Sequence, residues 1–280
     1  MGYIYWVASY PKSGNTWMRT FINNLVSSSD EERSINRLSE IAPDEISGRF
    51  YQPFLSRPIA EASLEELAAV RPQVHQAIAG AVEGFAFLKT HSVLASHLGT
   101  PTISPAATAG AIYIVRNPLD VVVSYSKFRN LTIDETIRMV NARGRILPRP
   151  KEHSYTPCGS WAENVRSWTS RRHDRLLVLR YEDMIDDPRT AFGAVARLLR
   201  IDATHEQVED AIERASFERL KAQERRDGFR ERPRQTEQFF REGAAGQWRR
   251  ELTPAQVQEV VLPNRSLMVD LGYWSPELDR

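Results

Sequence analysis

Tyr3-Ile4-Tyr5-Trp6-Val7-Ala8-Ser9-Tyr10-Pro11-Lys12-Ser13-Gly14-Asn15-Thr16-Trp17 is the stretch that decides the fold. Tyr3 to Ser9 is rich in β-branched and aromatic residues and stops at a Pro-Lys-Ser-Gly turn, so it reads as a strand. Met18 to Val26 then places Met18, Phe21, Ile22 and Leu25 on one helical face. A tight loop between a strand and a helix N-terminus offers free backbone N–H groups and the positive end of the helix dipole, which attract phosphate. Gly14 lets the backbone approach closely. Ser13, Asn15 and Thr16 add hydrogen-bond donors, and Lys12 adds a full positive charge. The order differs from a Walker A loop, where Lys follows the second Gly. The plain alternative is a polar turn ahead of a capped helix.

The same alternation continues outward. Phe85 to Leu88 is a second apolar run, ending in Lys89-Thr90-His91, and Ala111 to Val115 is a third, followed by Arg116-Asn117-Pro118 and a helix from about Leu119 to Lys127. Leu176 to Leu179 is a fourth strand. Ser63 with Glu66 forms a capping box, and the expected helices there run to about Val70 and from Pro72 to Val82. Further helices are expected over Trp161 to Arg171, Pro188 to Leu199 and His205 to Ala215. Residues 27–60 read mostly as loop, residues 142–159 as a mobile surface loop with three prolines, and Gln223 to Glu237 as a flexible charged run. Strands alternating with helices indicate an α/β fold: a P-loop-like, doubly wound, mostly parallel sheet flanked by helices, in one domain over residues 1–280. Ligands of such sheets bind beyond the carboxyl ends of the strands. The loops at 9–16, 89–92 and 116–118 lie there.

Composition removes several function classes. The chain has 280 residues and a formal net charge of +1, so no global field favours nucleic acid and an anion site must be local. Its one cysteine, Cys158, allows no internal disulfide and reads as a small packed side chain. Gly2 to Val7 lacks the basic start and long apolar run of a signal peptide, and no stretch is apolar enough to span a membrane, so a soluble, cytoplasmic protein is expected.

Arg116 is delivered to the carboxyl edge by its strand, and Ser124 follows about two helical turns later. A guanidinium donates two parallel hydrogen bonds to a phosphate. The alternative is an Arg116–Asp120 salt bridge at the helix start.

At these residues the sequence resembles a known family. Tyr10 to Trp17 is similar to the 5′-phosphosulfate loop of cytosolic sulfotransferases that use 3′-phosphoadenosine 5′-phosphosulfate (PAPS), with Asn15 where many members have Thr. Arg116-Asn117-Pro118-Leu119-Asp120 with Ser124 resembles the family's 3′-phosphate motif. Gly159-Ser160-Trp161 with Trp168, Leu179 to Met184, Ala215-Ser216-Phe217 and Phe240 to Trp248 extend the likeness. The resemblance implies that Arg116 and Ser124 hold the 3′-phosphate, that Tyr181, Ser216, Phe217 and Trp17 lie near the adenine, and that Arg241 and the Gly243 N–H assist. It departs from the family at Glu242, where Lys is expected, and at Gln247, where Asp is. Arg226, Arg230, Arg232 and Arg234 are candidates to replace the missing charge. The family's dimer motif is degraded at Arg249 and Thr253-Pro254, so the oligomeric state stays open. The Asn15 variant and the Gly159 to Trp168 segment look more like bacterial natural-product sulfotransferases than vertebrate detoxifying ones.

Sulfuryl transfer poses the same demands as phosphoryl transfer: positioning, charge neutralisation and an in-line arrangement. Lys12 is the candidate for stabilising the leaving oxygen. His91 is the candidate base, and the resemblance to the family's Lys-Thr-His adds Lys89 at the sulfate. His75, His97, His153, His173 and His205 read as surface or packing residues. No His/Cys cluster has ligand spacing, so no metal is expected. The expected co-substrate is PAPS and the expected partner a small-molecule acceptor, entering between residues 40–80 and 128–158. The rival readings are a P-loop kinase of small molecules and a non-catalytic nucleotide-binding protein.

Overall fold

A computed structural model of the chain describes residues 2–27, 33–170, 173–233 and 235–275. The central sheet takes strand β1 (Tyr3–Ser9), helix α1 (Asn15–Leu25), helix α2 (Leu64–Gly80), β2 (Phe85–Thr90), β3 (Thr108–Val115), α3 (Pro118–Arg129), α4 (Ile133–Asn141), α5 (Trp161–Thr169) and β4 (Leu176–Arg180) in chain order. Helices α6 (Tyr181–Asp186), α7 (Pro188–Leu199), α8 (His205–Arg214), α9 (Phe217–Asp227) and α10 (Pro254–Asp270) follow. The strands lie in the order β2-β1-β3-β4, all parallel. From β1 the chain crosses to one side to make β2, then returns past β1 to make β3. That reversal is the switch point at which a doubly wound sheet opens a crevice at its carboxyl edge.

Strand β1 has a neighbour on each side, and Ile4 to Ala8 are buried. Successive side chains leave opposite faces of a strand. Ile4, Trp6 and Ala8 join one core with Tyr113, Val115, Leu119 and Trp161, while Tyr5 and Val7 join the other with Phe21, Ile112, Ile114 and Phe192. Trp6 is fully buried and donates from Nε1 to Thr108 Oγ1 at 2.9 Å. Burying such an aromatic side chain is worth at most about 4–6 kcal/mol at about 25 cal/mol per Å². Among the described residues no helix is long and apolar enough to cross a membrane.

Four local expectations change. The capping box of Ser63 and Glu66 forms, but it opens a single helix, α2, with Pro72 inside it. Pro72 removes one N–H, yet the buried Leu67, Ala68, Arg71, Val74 and His75 anchor both halves to the same core. Helix α4 was not expected from the sequence, although Thr132 and Glu135 form a capping box at its start. Residues 142–159 are not a free surface loop: Tyr155 and Cys158 are fully buried, Arg71 donates to the Tyr155 carbonyl at 2.7 Å, and Arg149 donates to the Ala62 carbonyl at 3.1 Å. The charged run from Gln223 is helical to Asp227 and is tied down beyond it, because Arg19 makes a two-pronged pair with Glu231 at 2.8 and 2.5 Å.

Candidate active site

One large cavity, of about 600 Å³, opens at the carboxyl edge of β1, β2 and β3. The loop after β1 forms its floor. Gly14 is the N-cap of α1 at φ 107°, with no side-chain cap and no acidic residue in the first turn, so the helix keeps its free N–H groups and an uncompensated positive end. A Cβ at Gly14 would sit 2.7 Å from the Tyr181 ring, so both the dihedral and the close approach require glycine. Lys12 also takes a left-handed φ of 68°, a conformation that costs a non-glycine residue of order 1–3 kcal/mol.

Lys12 lies at the centre of the charge arrangement. Its Nζ is held between two rings, 4.0 Å from the Phe128 centroid and 4.2 Å from that of Phe239. Burial, together with the positive charges of Arg116, Arg241 and Lys89, lowers its pKa to about 7, against the opposing pull of Glu224. Cations gathered around a poorly solvated ammonium make a site that wants an anion.

Arg116 is 6 % exposed, donates to the carbonyls of Lys12 at 3.1 Å and Ala244 at 2.9 Å, and lies flat over Tyr181 at 4.2 Å. The Arg116–Asp120 salt bridge does not form. Asp120 instead accepts the N–H groups of Gly246 at 2.6 Å and Trp248 at 3.1 Å, docking the late loop beside Arg116. Ser124 lines the same cavity from α3.

His91 follows β2. Its Nδ1 lies 2.7 Å from the Ser9 carbonyl oxygen. A carbonyl only accepts, so Nδ1 carries the proton and Nε2 the free lone pair. Burial and the neighbouring Lys89 push the His91 pKa down to about 4, against the opposing pull of Asp44. The ring is therefore neutral near pH 7. Lys89 pairs with Asp44 at 2.9 Å.

The loop residues Lys12, Gly14, Asn15, Thr16 and Trp17 line the cavity, as do His91, Lys89, Tyr181, Phe217, Arg241 and Gly243. Ser13 and Ser216 do not. Ser13 is fully buried beneath the loop, and Ser216 starts α9, the helix that carries Phe217. The Asn15 side-chain amide nitrogen points inward, donating to the Val7 carbonyl at 2.9 Å and to Ser9 Oγ at 3.3 Å, so it ties α1 to the end of β1 and leaves the backbone N–H as the Asn15 donor for an anion. Gly243, at φ 63°, passes so close to Phe217 that a Cβ would lie 2.3 Å from the ring. Glu242 is turned onto Arg250 and, at 3.7 Å, onto Arg241. The Glu242 charge is thus met by Arg250 and Arg241; of the earlier arginines, Arg226 pairs with Asp227 and Arg232 with Glu224 at 3.8 Å, neither they nor Arg230 line the cavity, and Arg234 lies outside the described residues.

The residues fit a nucleotide with two anionic ends. Of the buried polar atoms without a hydrogen-bond partner among the described residues, Trp17 Nε1 and Arg116 Nε are donors on residues that line the cavity, and Asn15 Oδ1 is an acceptor there. Sequence reading missed Phe128 and Phe239 around Lys12, and missed the buried acids Glu45 and Glu224 and the half-buried Glu231. Glu224 accepts the N–H groups of Phe239 at 2.7 Å and Phe240 at 2.8 Å, fixing one of those rings. No local pattern marks such acids, because their partners are distant in sequence.

Known proteins give the same picture. The chain is 24% identical to sulfotransferase 1 family member D1 of Rattus norvegicus over 269 residues, covering 90% of this chain and 79% of that protein. It is 26% identical to sulfotransferase 1A1 of Rattus norvegicus over 290 residues, covering 95% and 85%. Its fold matches retinol dehydratase in a complex with retinol and PAP at a TM-score of 0.65 and 19% identity, over 98% of this chain and 83% of that one. It matches mouse sulfotransferase SULT7A1 complexed with PAP at a TM-score of 0.61 and 21% identity, over 97% and 86%. The family model described as the sulfotransferase domain matches residues 5–272, from within β1 to beyond α10, so the chain belongs to the sulfotransferase family.

Proposed function

We propose that this enzyme moves a sulfuryl group from PAPS to a hydroxyl or amine of a small acceptor by in-line displacement, using the cavity at the switch point. The observation that carries this reading is the gathering of Lys12, Lys89, Arg116 and Arg241 on one cavity, with Lys12 Nζ held between the Phe128 and Phe239 rings and its pKa lowered to about 7 by burial and by those cations. PAPS supplies an activated sulfuryl group on a phosphate leaving group.

The N–H groups at the start of α1, with Lys12 and Thr16, take the 5′ end. Arg116 and Ser124, assisted by Arg241 and the Gly243 N–H, take the 3′-phosphate. Trp17, Tyr181 and Phe217 border the adenine, and Ser216 holds the start of the helix that presents Phe217. His91 receives the acceptor's proton on Nε2, since Ser9 keeps the proton on Nδ1. Lys12 neutralises charge on the leaving oxygen as it develops, and Lys89 does so at the sulfuryl oxygens. Ile46, Leu147, Pro148 and Pro150 also line the cavity, so an acceptor with an apolar body is favoured. On this reading the enzyme is a single cytoplasmic domain over residues 1–280.

The test is sulfuryl transfer from radiolabelled PAPS to a panel of phenols, alcohols and amines. Labelled product should appear with native enzyme and vanish with Lys12→Ala and with His91→Ala. Equal product from His91→Ala across the panel would remove His91 as the base.

A further inference from the structure

The segment Pro43-Asp44-Glu45 is spliced onto the free edge of β2. The Lys89 N–H donates to the Pro43 carbonyl at 2.9 Å, and the Glu45 N–H donates to the Lys89 carbonyl at 3.0 Å. Asp44 and Lys89 form a parallel bridge. In such an extended pairing neighbouring side chains leave on opposite sides. Asp44 lines the cavity and takes Lys89 Nζ. Glu45 goes the other way and is fully buried.

One oxygen of Glu45 then does two things. Oε1 accepts from Thr90 Oγ1 at 3.1 Å and from Ser92 Oγ at 2.8 Å, while the Ser92 N–H donates to Thr90 Oγ1 at 3.0 Å. Thr90 and Ser92 are the residues on either side of His91. His91 is further restrained by Ser9, whose carbonyl lies 2.7 Å and hydroxyl 3.4 Å from Nδ1, and by Asn164, which donates to the His91 carbonyl at 3.0 Å. The Glu45 carboxylate also lies beside the buried Arg71 and His75, its Oε2 3.5 Å from His75 Nε2, so removing it would leave a buried cation uncompensated. Its Oε1 contacts with Thr90 and Ser92 are separable from that role, because the two hydroxyls can be altered with the carboxylate left in place.

We propose that Glu45 is a positioning residue for His91, acting through the Thr90 and Ser92 hydroxyls, while Asp44 sets the direction of Lys89. This rests on the reading of His91 as the base. Neither Thr90 nor Ser92 lines the cavity, so they can be altered without touching bound molecules.

The test is the double variant Thr90→Val/Ser92→Ala, set against Thr90→Ser, which keeps the hydroxyl. Three quantities are read: kcat for sulfuryl transfer, Kd for adenosine 3′,5′-bisphosphate, and the His91 ring tautomer by long-range proton–nitrogen NMR of histidine-labelled protein. In the double variant kcat should fall about 100-fold, the effect of a displacement of about 1 Å. Its Kd should stay within about twofold, well inside one factor of ten, and the Nδ1–H form should give way to a mixture. Thr90→Ser should restore both kcat and the single tautomer. Should the double variant not fold, Ser92→Ala alone carries the same expectation at about 10-fold. An unchanged tautomer and kcat in the double variant, or a kcat that falls only in step with nucleotide affinity, would overturn the proposal. Failure of native enzyme to sulfate any acceptor would count against the functional reading alone, and the tautomer would still decide the role of Glu45.

Discussion

Lys12 should gain a proton when a nucleotide binds. In the free protein burial and three neighbouring cations hold its pKa at about 7. A phosphate set against the ammonium offsets the neighbouring cations and favours the charged form of the buried amine, raising its pKa toward the ordinary lysine value of about 10.4. At pH 8 only about 0.1 of free Lys12 is protonated, so binding adenosine 3′,5′-bisphosphate should take up about 0.9 proton, falling to about 0.1 at pH 6. The sign follows: the complex holds more protons, so affinity weakens as pH rises. Above pH 7 Kd should rise roughly tenfold per pH unit, and below it should level off. The assay is titration calorimetry in buffers of different ionisation enthalpy, where the slope of heat against that enthalpy counts protons. Lys12→Arg is the control, because arginine stays charged throughout and should abolish both the uptake and the pH slope. A heat independent of buffer at pH 8 for native enzyme, or the same uptake in Lys12→Arg, would refute the reasoning.

Arg116→Lys should weaken the bisphosphate by about 10–100-fold, since a point charge cannot reproduce paired guanidinium bonds, while adenosine 5′-phosphate is little affected; titration of both ligands checks this. His91→Ala should lower kcat by about 100-fold or more with unchanged nucleotide Kd. The acid limb of kcat/KM due to His91 should fall near its free-enzyme pKa of about 4, because the neutral base form persists above that value, and a limb near 6.5 lost in His91→Ala would contradict it. Gly243→Ala introduces a left-handed alanine and a Cβ 2.3 Å from the Phe217 ring. It should cost about 2–4 kcal/mol, seen as a Tm several degrees lower and as weaker nucleotide binding.

Much of this site was legible because its parts are local. Tyr3 to Ser9 is the observed β1, and the three loops expected at the carboxyl edge do lie there. A β-rich run ending in a glycine-bearing turn needs no distant partner to be recognised. What was not legible depends on long-range pairing. Proline and charge made residues 142–159 look mobile, yet Arg71, more than 80 residues away, holds the Tyr155 carbonyl. Glu45 gives no sign in sequence that it meets Thr90 and Ser92. Asp120 is visible inside a motif but its partners are not, because its carboxylate reaches Gly246 and Trp248, which only the fold brings near. Helix α4 was missed although Thr132 and Glu135 gave a usable signal.

The central claim is that one cavity grips both anionic ends of a single nucleotide, with the α1 loop at one and Arg116 with Ser124 at the other. Calorimetric titration of adenosine 3′,5′-bisphosphate, with adenosine 5′-phosphate and ATP as controls, tests it most directly. One molecule of bisphosphate should bind per chain, far more tightly than either control, and Arg116→Ala should erase the difference. Equal affinity for all three, or a preference that survives Arg116→Ala, would contradict it.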